Sequence, residues 1–373
     1  MANRRCYTII IVKASGITIQ ENHPLRELTT FKIGGAARYF AEVTCENEVT
    51  EALAFATGRK LDIFTLGGGS NLLISDNGFP GLVIHNKITG LASRRNGDSV
   101  LVTANAGHDW DAFTKFCTEH NWQGVECLSG VPGTVGAAPV QNIGAYGQSA
   151  ENVVEEVRTI DISTGATAIW GNQECGFGYR KSIFNTVAAG RYIITCVTFR
   201  LAASQCPLLT HHDLKHYFSS TANVTPAQVR DAVLEIRNSK GLLVLDGYER
   251  LNSAGSFFKN PLVSHDLFER VEKSVHDMGG CENWCWPQPS GEVKISAACL
   301  IQTAGFIRGY RRGNVGISPR HTLAIINYGN ATAGEVIALA RQVQERVREK
   351  FGVTLNPEVQ CIGIEPNALL NDN

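Results

Sequence analysis

The stretch GVECLSGVPGTVGAAPVQNIGAYG, residues 124–147, decides how this chain is read. It carries six glycines and two prolines in 24 residues, which excludes a helix or a central strand. So many backbone amides outside regular structure need partners. Water would serve in an exposed loop, but the interleaved valines, alanines, leucine and isoleucine imply burial. A buried ligand rich in acceptors is then the simplest partner, and a pyrophosphate joined to a flavin ring edge meets that demand. A second cluster, LGGGSNLL at residues 66–73, follows an expected strand over 62–66. Its three consecutive glycines allow positive φ and close approach to a ligand. Taken alone, a plain tight loop explains that cluster equally well. Neither the G-x-G-x-x-G dinucleotide spacing nor a G-x-x-x-x-G-K-[ST] loop occurs.

Around these loops lies an ordinary globular composition. The chain has 373 residues, 43% hydrophobic and 18% charged, which suggests two or three compact units. Lys and Arg number 34 against 35 Asp and Glu, a net charge of −1. That excludes a protein held to nucleic acid by bulk electrostatics. No apolar run approaches the ~18 residues of a membrane helix, so no membrane insertion is expected. The eleven cysteines form no C-x-x-C pair, and the nearest two, Cys281 and Cys285, lack a partner pair. Buried thiols in a reducing, cytoplasmic setting are expected. Arg4 and Arg5 before Tyr7–Val12 imitate a secretory signal, but the apolar stretch is short, ends at Lys13 and lacks a small-residue cleavage site. A frayed extension or an extra edge strand is expected there.

Helices are expected over 46–60, with Val49, Leu53 and Ala56 as the apolar stripe, and over 109–120, 264–278 and 332–351. Another opens at Thr225-Pro226 and runs to about Arg237. Gly352 is placed to end the last helix. Strands are expected over 81–85, 99–106, 155–163, 167–170 and 192–201. This mixture argues an α+β fold with a boundary near 205–225.

Three further segments bear chemistry. GYRKSIF at 178–184 sets Arg180 beside aromatics, and its planar fork suits a carboxylate. NSAGSFFKNP at 252–261 sets the Ser256 hydroxyl between a glycine and two phenylalanines, and NPEV at 356–359 places Glu358 after the last helix. Singly, each has a plainer reading: a surface ion pair, a turn serine, a surface carboxylate.

Together these segments resemble the UDP-N-acetylenolpyruvoylglucosamine reductase family of peptidoglycan synthesis. The likeness runs from about Leu25 to Gly363 and includes the opening segment TTFKIGG at 29–35. It implies a split FAD-binding domain of the vanillyl-alcohol-oxidase-like type plus a separate α+β substrate-binding domain. Residues 1–24 would be an N-terminal extension, and 25–86 the first FAD subdomain, joined by 352–365. Residues 87–219 would form the second FAD subdomain with a lid loop, and 220–351 the UDP-sugar domain. The family binds FAD non-covalently and takes hydride from NADPH. It then reduces the enolpyruvyl ether of a UDP-sugar, acting here as an expected monomer.

Residue by residue, the likeness implies Arg180 and Glu358 as stabilisers of an enolate-like intermediate and Ser256 as the proton donor. FAD contacts fall on Gly67, Gly68, Gly69, Ser70 and Asn71. In the second loop they fall on Gly133, Thr134, Gly136, Ala137, Gln141, Asn142, Gly144, Ala145 and Tyr146. Substrate contacts fall on Tyr179, His211, Lys240, Asn260, Gln288 and Lys294. The chain departs from the family pattern in PLLTHHDL at 207–214, where His211 stands at a lid tyrosine. It departs again at 240–252, which is longer than the usual Lys-Leu-Pro-Asp-Pro form. His211, His212 and His216 lack a carboxylate-rich surround, so no metal is expected, and Arg311 and Arg312 read as a solvated turn. Two rivals stay open: a carbohydrate oxidase with a tethered flavin, opposed by Ser70 and Asn71 after the glycines, and a non-catalytic nucleotide-sugar module, opposed by the joint presence of Arg180, Ser256 and Glu358.

Overall fold

The computed structural model describes residues 10–14, 16–203, 206–221 and 223–370. Its first unit contains β1 (Ile10–Ala14), β2 (Ile17–Pro24), β3 (Ala36–Val43), β4 (Ile63–Leu66), β5 (Leu72–Ile74) and β6 (Phe79–Asn86). All but β5 form one sheet in the order β1-β2-β3-β6-β4. The β1–β2 and β2–β3 pairs are antiparallel, and β6 runs parallel to both β3 and β4. The expected N-terminal edge strand is present from Ile10 onward; Tyr7 lies outside the described residues. Helix α1 (Glu46–Arg59) makes the crossover, burying Val49, Ala52, Leu53 and Ala56 at helical spacing.

The second unit is antiparallel. It comprises β7 (Leu91–Asn96), β8 (Ser99–Asn105), helix α2 (Trp110–Glu119), β9 (Trp122–Gln123), the small hairpin β10 (Gly144–Ala145) and β11 (Gln148–Ser149), then β12 (Val154–Asp161), β13 (Thr167–Gly171) and β14 (Tyr192–Ala203). The sheet order is β13-β12-β14-β8-β7, with β9 on β14. Along β8, Val100, Val102 and Ala104 alternate inward and share a core with Trp110 and Phe113 of α2 and Phe199 of β14. The Asp109 side chain caps α2 by accepting from the Ala112 N–H.

Two helices follow, α3 (His212–Tyr217) and α4 (Pro226–Ser239). A Thr225–Gln228 capping box and Pro226 in the first turn start α4. This helix packs on α2. Arg230 of α4 reaches Asp111 of α2 through two hydrogen bonds, 2.7 and 2.6 Å long. Asp111 also accepts from the Gly130 N–H, 2.7 Å away, so one buried carboxylate ties α2, α4 and the glycine-rich loop.

The third unit contains β15 (Ser253–Ser256), β16 (Leu262–Val263), α5 (His265–Asp277), β17 (Cys285–Pro287), β18 (Val293–Ile295), α6 (Ala297–Thr303), β19 (Arg311–Arg312), β20 (Val315–Ile317), β21 (Ala324–Asn327) and α7 (Ala333–Phe351). Its sheets run β15-β21-β20-β19 and β16-β18-β17. A Thr332–Glu335 capping box starts α7, and Gly352, at φ 67°, ends it. Phe31 and Ile33 of the opening segment are buried in this unit's core, which explains why TTFKIGG is apolar at those positions. The chain then returns: β22 (Gln360–Ile362) pairs in parallel with β5, back in the first unit. Among the described residues no helix is long and apolar enough to cross a membrane.

Two expectations need correction. The cysteines are not all free thiols, because Cys281 and Cys299 form a disulfide. The partners lie 18 residues apart, beyond the short spacings that sequence inspection weighs, and the fold brings their Cα atoms to 6.1 Å. Arg311 and Arg312 are exposed as expected but form a strand, β19, paired with β20.

Burial pushes the Asp111 carboxyl up, yet the Arg230 guanidinium, the Gly130 N–H and the Thr114 hydroxyl outweigh it and hold the group below its ordinary range. Its contribution to stability is therefore present above the ordinary carboxylate range and lost as pH falls through the depressed value. Asp111→Ala strands Arg230 in a buried site and should cost about 3–5 kcal/mol. Urea unfolding at neutral pH checks this, and the gap from wild type should shrink in acid.

Candidate active site

A cleft opens where the three units meet. Its wall contains Ser70 and Asn71 from the first loop, and Val131, Pro132, Gln141, Ile143, Gly144 and Ala145 from the second. Arg180, Ser256 and Glu358, which lie far apart in sequence, line the same cleft.

The two glycine loops are built against each other. A Cβ on Gly68 would stand 2.8 Å from Gly133 Cα, and one on Gly69, at φ +62°, would strike Leu28 O at 1.9 Å. Only glycine permits this approach. Ser70 Oγ donates to Pro132 O at 2.8 Å, closing the pair. Thr134, Gly136 and Ala137 lie in the short helical turn that follows, and Gly136 abuts Ala106. Gly67 faces Thr134 across the loops. The Asn71 side chain donates to Gln141 Oε1 at 2.6 Å and to Glu358 O at 3.0 Å. One amide thus joins both loops to the C-terminal segment that carries Glu358.

That segment is fixed further by β22, where the Gln360 N–H donates to Asn71 O, and by the Glu358 N–H donating to Phe257 O. Ser256 and Glu358 thus come from segments bonded to each other, and both line the cleft. Arg180 sits at φ +55°, a left-handed conformation that costs a non-glycine residue energy. The Asn185 amide donates to Arg180 O at 3.2 Å, and Arg180 Nη1 donates to Gly144 O at 3.0 Å. Arg180 Nε lies 2.7 Å from Glu358 Oε1, but its N–H is not aligned with that oxygen. This is a charge contact more than a hydrogen bond, and the guanidinium keeps donors for another acceptor. Burial pushes the Glu358 carboxyl above its ordinary value, against the opposing pull of Arg180 and Lys259. The reading of Glu358 as a surface carboxylate is excluded by its 11% side-chain exposure.

Asn142, Tyr146, Tyr179, His211, Lys240, Asn260, Gln288 and Lys294 are not among the residues that line the cleft. Asn142 anchors the Gly178 carbonyl through its side chain, and Tyr146 is buried beside His211 with ring centroids 5.2 Å apart. His211 caps α3 by accepting from the Asp213 N–H. Lys240 donates to Asp213 Oδ2 at 2.7 Å and lies 5.5 Å above the Tyr146 ring. The only His, Cys, Asp and Glu grouping with metal-like spacing among the described residues is His211, His212 and Asp213, and the Lys240 ammonium already occupies that carboxylate. Tyr179 Oη accepts from the Asn260 N–H, and Lys294 lies 5.2 Å over the Tyr179 ring. Gln288 turns its amide to Trp286 O and Pro287 O within its own turn and does not line the cleft.

Sequence reasoning missed Arg237. It lines the cleft, is 8% exposed and donates to the Gly130 and Leu242 carbonyls. Burial lowers its pKa against the opposing pull of Tyr146 and Asp111, and no carboxylate lies within ion-pair distance of it among the described residues. A buried cation without an acid partner suits an anion. The available signal was its position: Arg230 and Arg237 stand seven apart on the stripe of α4 that also buries Val229 and Val233. Ser129, just before Gly130, likewise keeps a buried hydroxyl with no partner among the described residues.

A cleft walled by two glycine loops and bordered by the buried Arg237 guanidinium fits an extended anionic dinucleotide. The fold and this cradle define a flavoprotein of the two-subdomain FAD-binding class, and an FAD binding domain family matches residues 37–169. The C-terminal domain of UDP-N-acetylenolpyruvoylglucosamine reductase matches residues 246–362. The reductase of that name from Thermobifida fusca is 41% identical over 92% of this chain and 98% of its own length. The one from Nocardia farcinica is 39% identical over 95% and 92%. A crystal structure of the Thermus caldophilus reductase superimposes with a TM-score of 0.62 at 23% identity, covering 95% of this chain and all of that one. The chain belongs to the UDP-N-acetylenolpyruvoylglucosamine reductase family.

Because the folded Glu358 holds its proton to higher pH than the unfolded chain, wild-type stability should decline as pH rises above 4.5, the ordinary value. Glu358→Gln should remove that decline. Thermal unfolding of both proteins across mildly acidic to neutral pH checks it; parallel curves would contradict a raised carboxyl.

Proposed function

We propose that this chain reduces UDP-N-acetylglucosamine enolpyruvate to UDP-N-acetylmuramate, taking electrons from NADPH through a non-covalently bound FAD. The observation that carries the reading is the meeting of Arg180, Ser256 and Glu358 on one cleft whose other wall is the double glycine loop. The two glycine loops, with Ser70, Asn71 and Gln141, would hold FAD, which would supply two-electron redox chemistry between NADPH and the substrate alkene.

The chain's own residues manage the charge that follows. Hydride addition moves negative charge onto the substrate carboxylate, giving a dianionic enolate. Arg180 faces that charge with a preorganised fork, and its attraction is greatest when the charge is greatest, so it favours the transition state over the ground state. Its left-handed backbone and the Asn185 bond fix the fork before substrate arrives. The Ser256 hydroxyl delivers the proton to the carbon bearing the carboxylate. A hydroxyl is a poor acid in water but suffices within hydrogen-bond reach of a strongly basic carbon. An ionised Glu358 would repel the dianion, and burial already favours its neutral form. Glu358 therefore acts protonated in the working complex, donating toward the developing oxyanion.

Residues 25–86 with 352–365, and residues 87–219, make up the flavin unit of this proposal. Residues 220–351 form the UDP-sugar domain, although α4 is shared through Asp111 and Arg230. On the substrate side, Tyr179, Asn260 and Lys294 form one linked group, and Lys240 with His211 forms another near the lid. Lys240 exchanges Asp213 for a phosphate. We extend the proposal to a monomer acting in the cytoplasm, where the soluble nucleotide sugars are made.

Rapid-mixing absorbance of the two half-reactions tests these roles. In Ser256→Ala, bleaching of the yellow chromophore by NADPH should stay near wild type, while its return with the enolpyruvyl UDP-sugar slows by about 10²-fold or more. Equal damage to both steps would remove Ser256 as proton donor. Arg180→Lys replaces a fork by a point charge and should slow the second step on the order of 10²–10³-fold; wild-type behaviour would rule out a bidentate role.

A further inference from the structure

The Cys281–Cys299 disulfide encloses a segment that carries Lys294 against the ring of Tyr179, the residue before the cleft-lining Arg180. Cys281 follows the exposed turn after α5, and Cys299 lies in the first turn of α6. Between them run β17 and β18. In their register Trp286 faces Lys294, and the Lys294 ammonium stands 5.7 Å from the Trp286 ring and 5.2 Å from the Tyr179 ring. The Tyr179 neighbour in sequence is Arg180. The far end of the enclosed segment reaches the same tyrosine by another route. The Ala297 N–H, at the start of α6, donates to Asn260 Oδ1, and the Asn260 N–H donates to Tyr179 Oη. One crosslink therefore braces both arms that hold Tyr179.

The brace is placed where packing alone is thin. β17 is an outer strand, three residues long and paired only with β18. The residues from Gly279 to Gly280 and from Glu282 to Asn283 are exposed. Leu300 and Ile301 sink α6 into the core, so Cys299 is a fixed post and Cys281 the end that would move. Cys281 is half-buried, whereas Cys299 is buried, so exchange would begin at Cys281.

We infer that the Cys281–Cys299 bond positions Lys294 and Tyr179 for an anionic nucleotide-sugar, and that its reduction by a dithiol weakens capture of that substrate while leaving hydride entry from NADPH intact. This rests on the reaction assigned above. The chemistry balances as an ordinary exchange. A thiolate of the reductant attacks Cys281 Sγ, the Cys299 thiolate leaves and takes a proton, and the second thiol of the reductant then releases Cys281 as a thiol. Two electrons and two protons pass to the protein, and the reductant ends as its own disulfide. Neither sulfur touches the reacting atoms, so both cysteines are positioning residues. A loop held in its binding geometry loses less freedom when the ligand docks, and freeing it lowers affinity.

The test uses the FAD-loaded protein before and after treatment with dithiothreitol, the reagent then removed without air. Thiol titration should find two more thiols per chain after reduction. The Kd of the UDP-sugar, read from its perturbation of the flavin spectrum, should rise about tenfold, while the rate of bleaching by NADPH changes less than about twofold. A Cys281→Ala/Cys299→Ala variant should match the reduced protein and no longer respond to dithiothreitol. Cys281→Ser, which keeps the buried Cys299, serves if the double variant folds poorly. No gain of thiols, an unchanged Kd, or equal loss in both half-reactions would overturn the inference. Failure of the UDP-sugar to restore the colour in either redox state would overturn the assigned reaction and this inference with it.

Discussion

Glu358 and Arg180 meet at a point that no two neighbouring elements of the chain could build. A carboxyl this buried resists ionisation, and a guanidinium this close resists its neutralisation. Holding the two together takes three separate segments. β22 returns in parallel to β5 and brings Glu358 back to the first unit. The Asn71 amide bonds the Glu358 carbonyl and Gln141 together. Arg180 takes a left-handed backbone so that its fork faces inward from the second unit. Local strain of about 1–3 kcal/mol at such a residue persists only where its surroundings over-determine it, and here Asn185 and the Gly144 carbonyl do so.

The rest of the site follows from that junction. The same Asn71 that holds Glu358 closes the glycine cradle, so the place where a flavin would lie and the place where charge is managed share one amide. Ser256 comes from β15, whose segment is hydrogen-bonded to that of Glu358 through Phe257. The Ser256 and Glu358 segments are therefore tied to each other. On the outer side, Tyr179 is held by Asn260 and overlain by Lys294, which extends the cation-rich wall away from Arg180. Burial, and then the Arg180 charge, lowers the Lys294 pKa, a cost that an anion in the cleft would offset.

The legible part of this architecture was local. Helix caps at Thr225, Ser264 and Thr332, the stripe of α7 and the stop at Gly352 are written in consecutive residues, and the structure has them. The glycine loops were legible because few other uses exist for so many glycines among apolar neighbours, and Gly68 and Gly69 show the close approaches that require them. What depended on distant partners was not legible. The disulfide joins cysteines 18 residues apart through a hairpin that spacing rules do not weigh. Arg237 carried no motif, and only its place on the buried stripe of α4 sets it apart from a surface arginine. The docking of α4 onto α2 includes an ion pair across 119 residues, which no local pattern announces. The Glu358 carboxyl looked like a surface acid until β22 was seen to carry it inward.

The proposed reaction places this junction beside a flavin and an activated alkene. The most direct measurement is the visible spectrum of the purified wild-type protein, without oxygen, recorded first alone, then with NADPH, then with the enolpyruvyl UDP-sugar. The account predicts a yellow protein that NADPH bleaches and the UDP-sugar recolours. A colourless protein that FAD cannot reconstitute, or a bleached one that the UDP-sugar never restores, would contradict it.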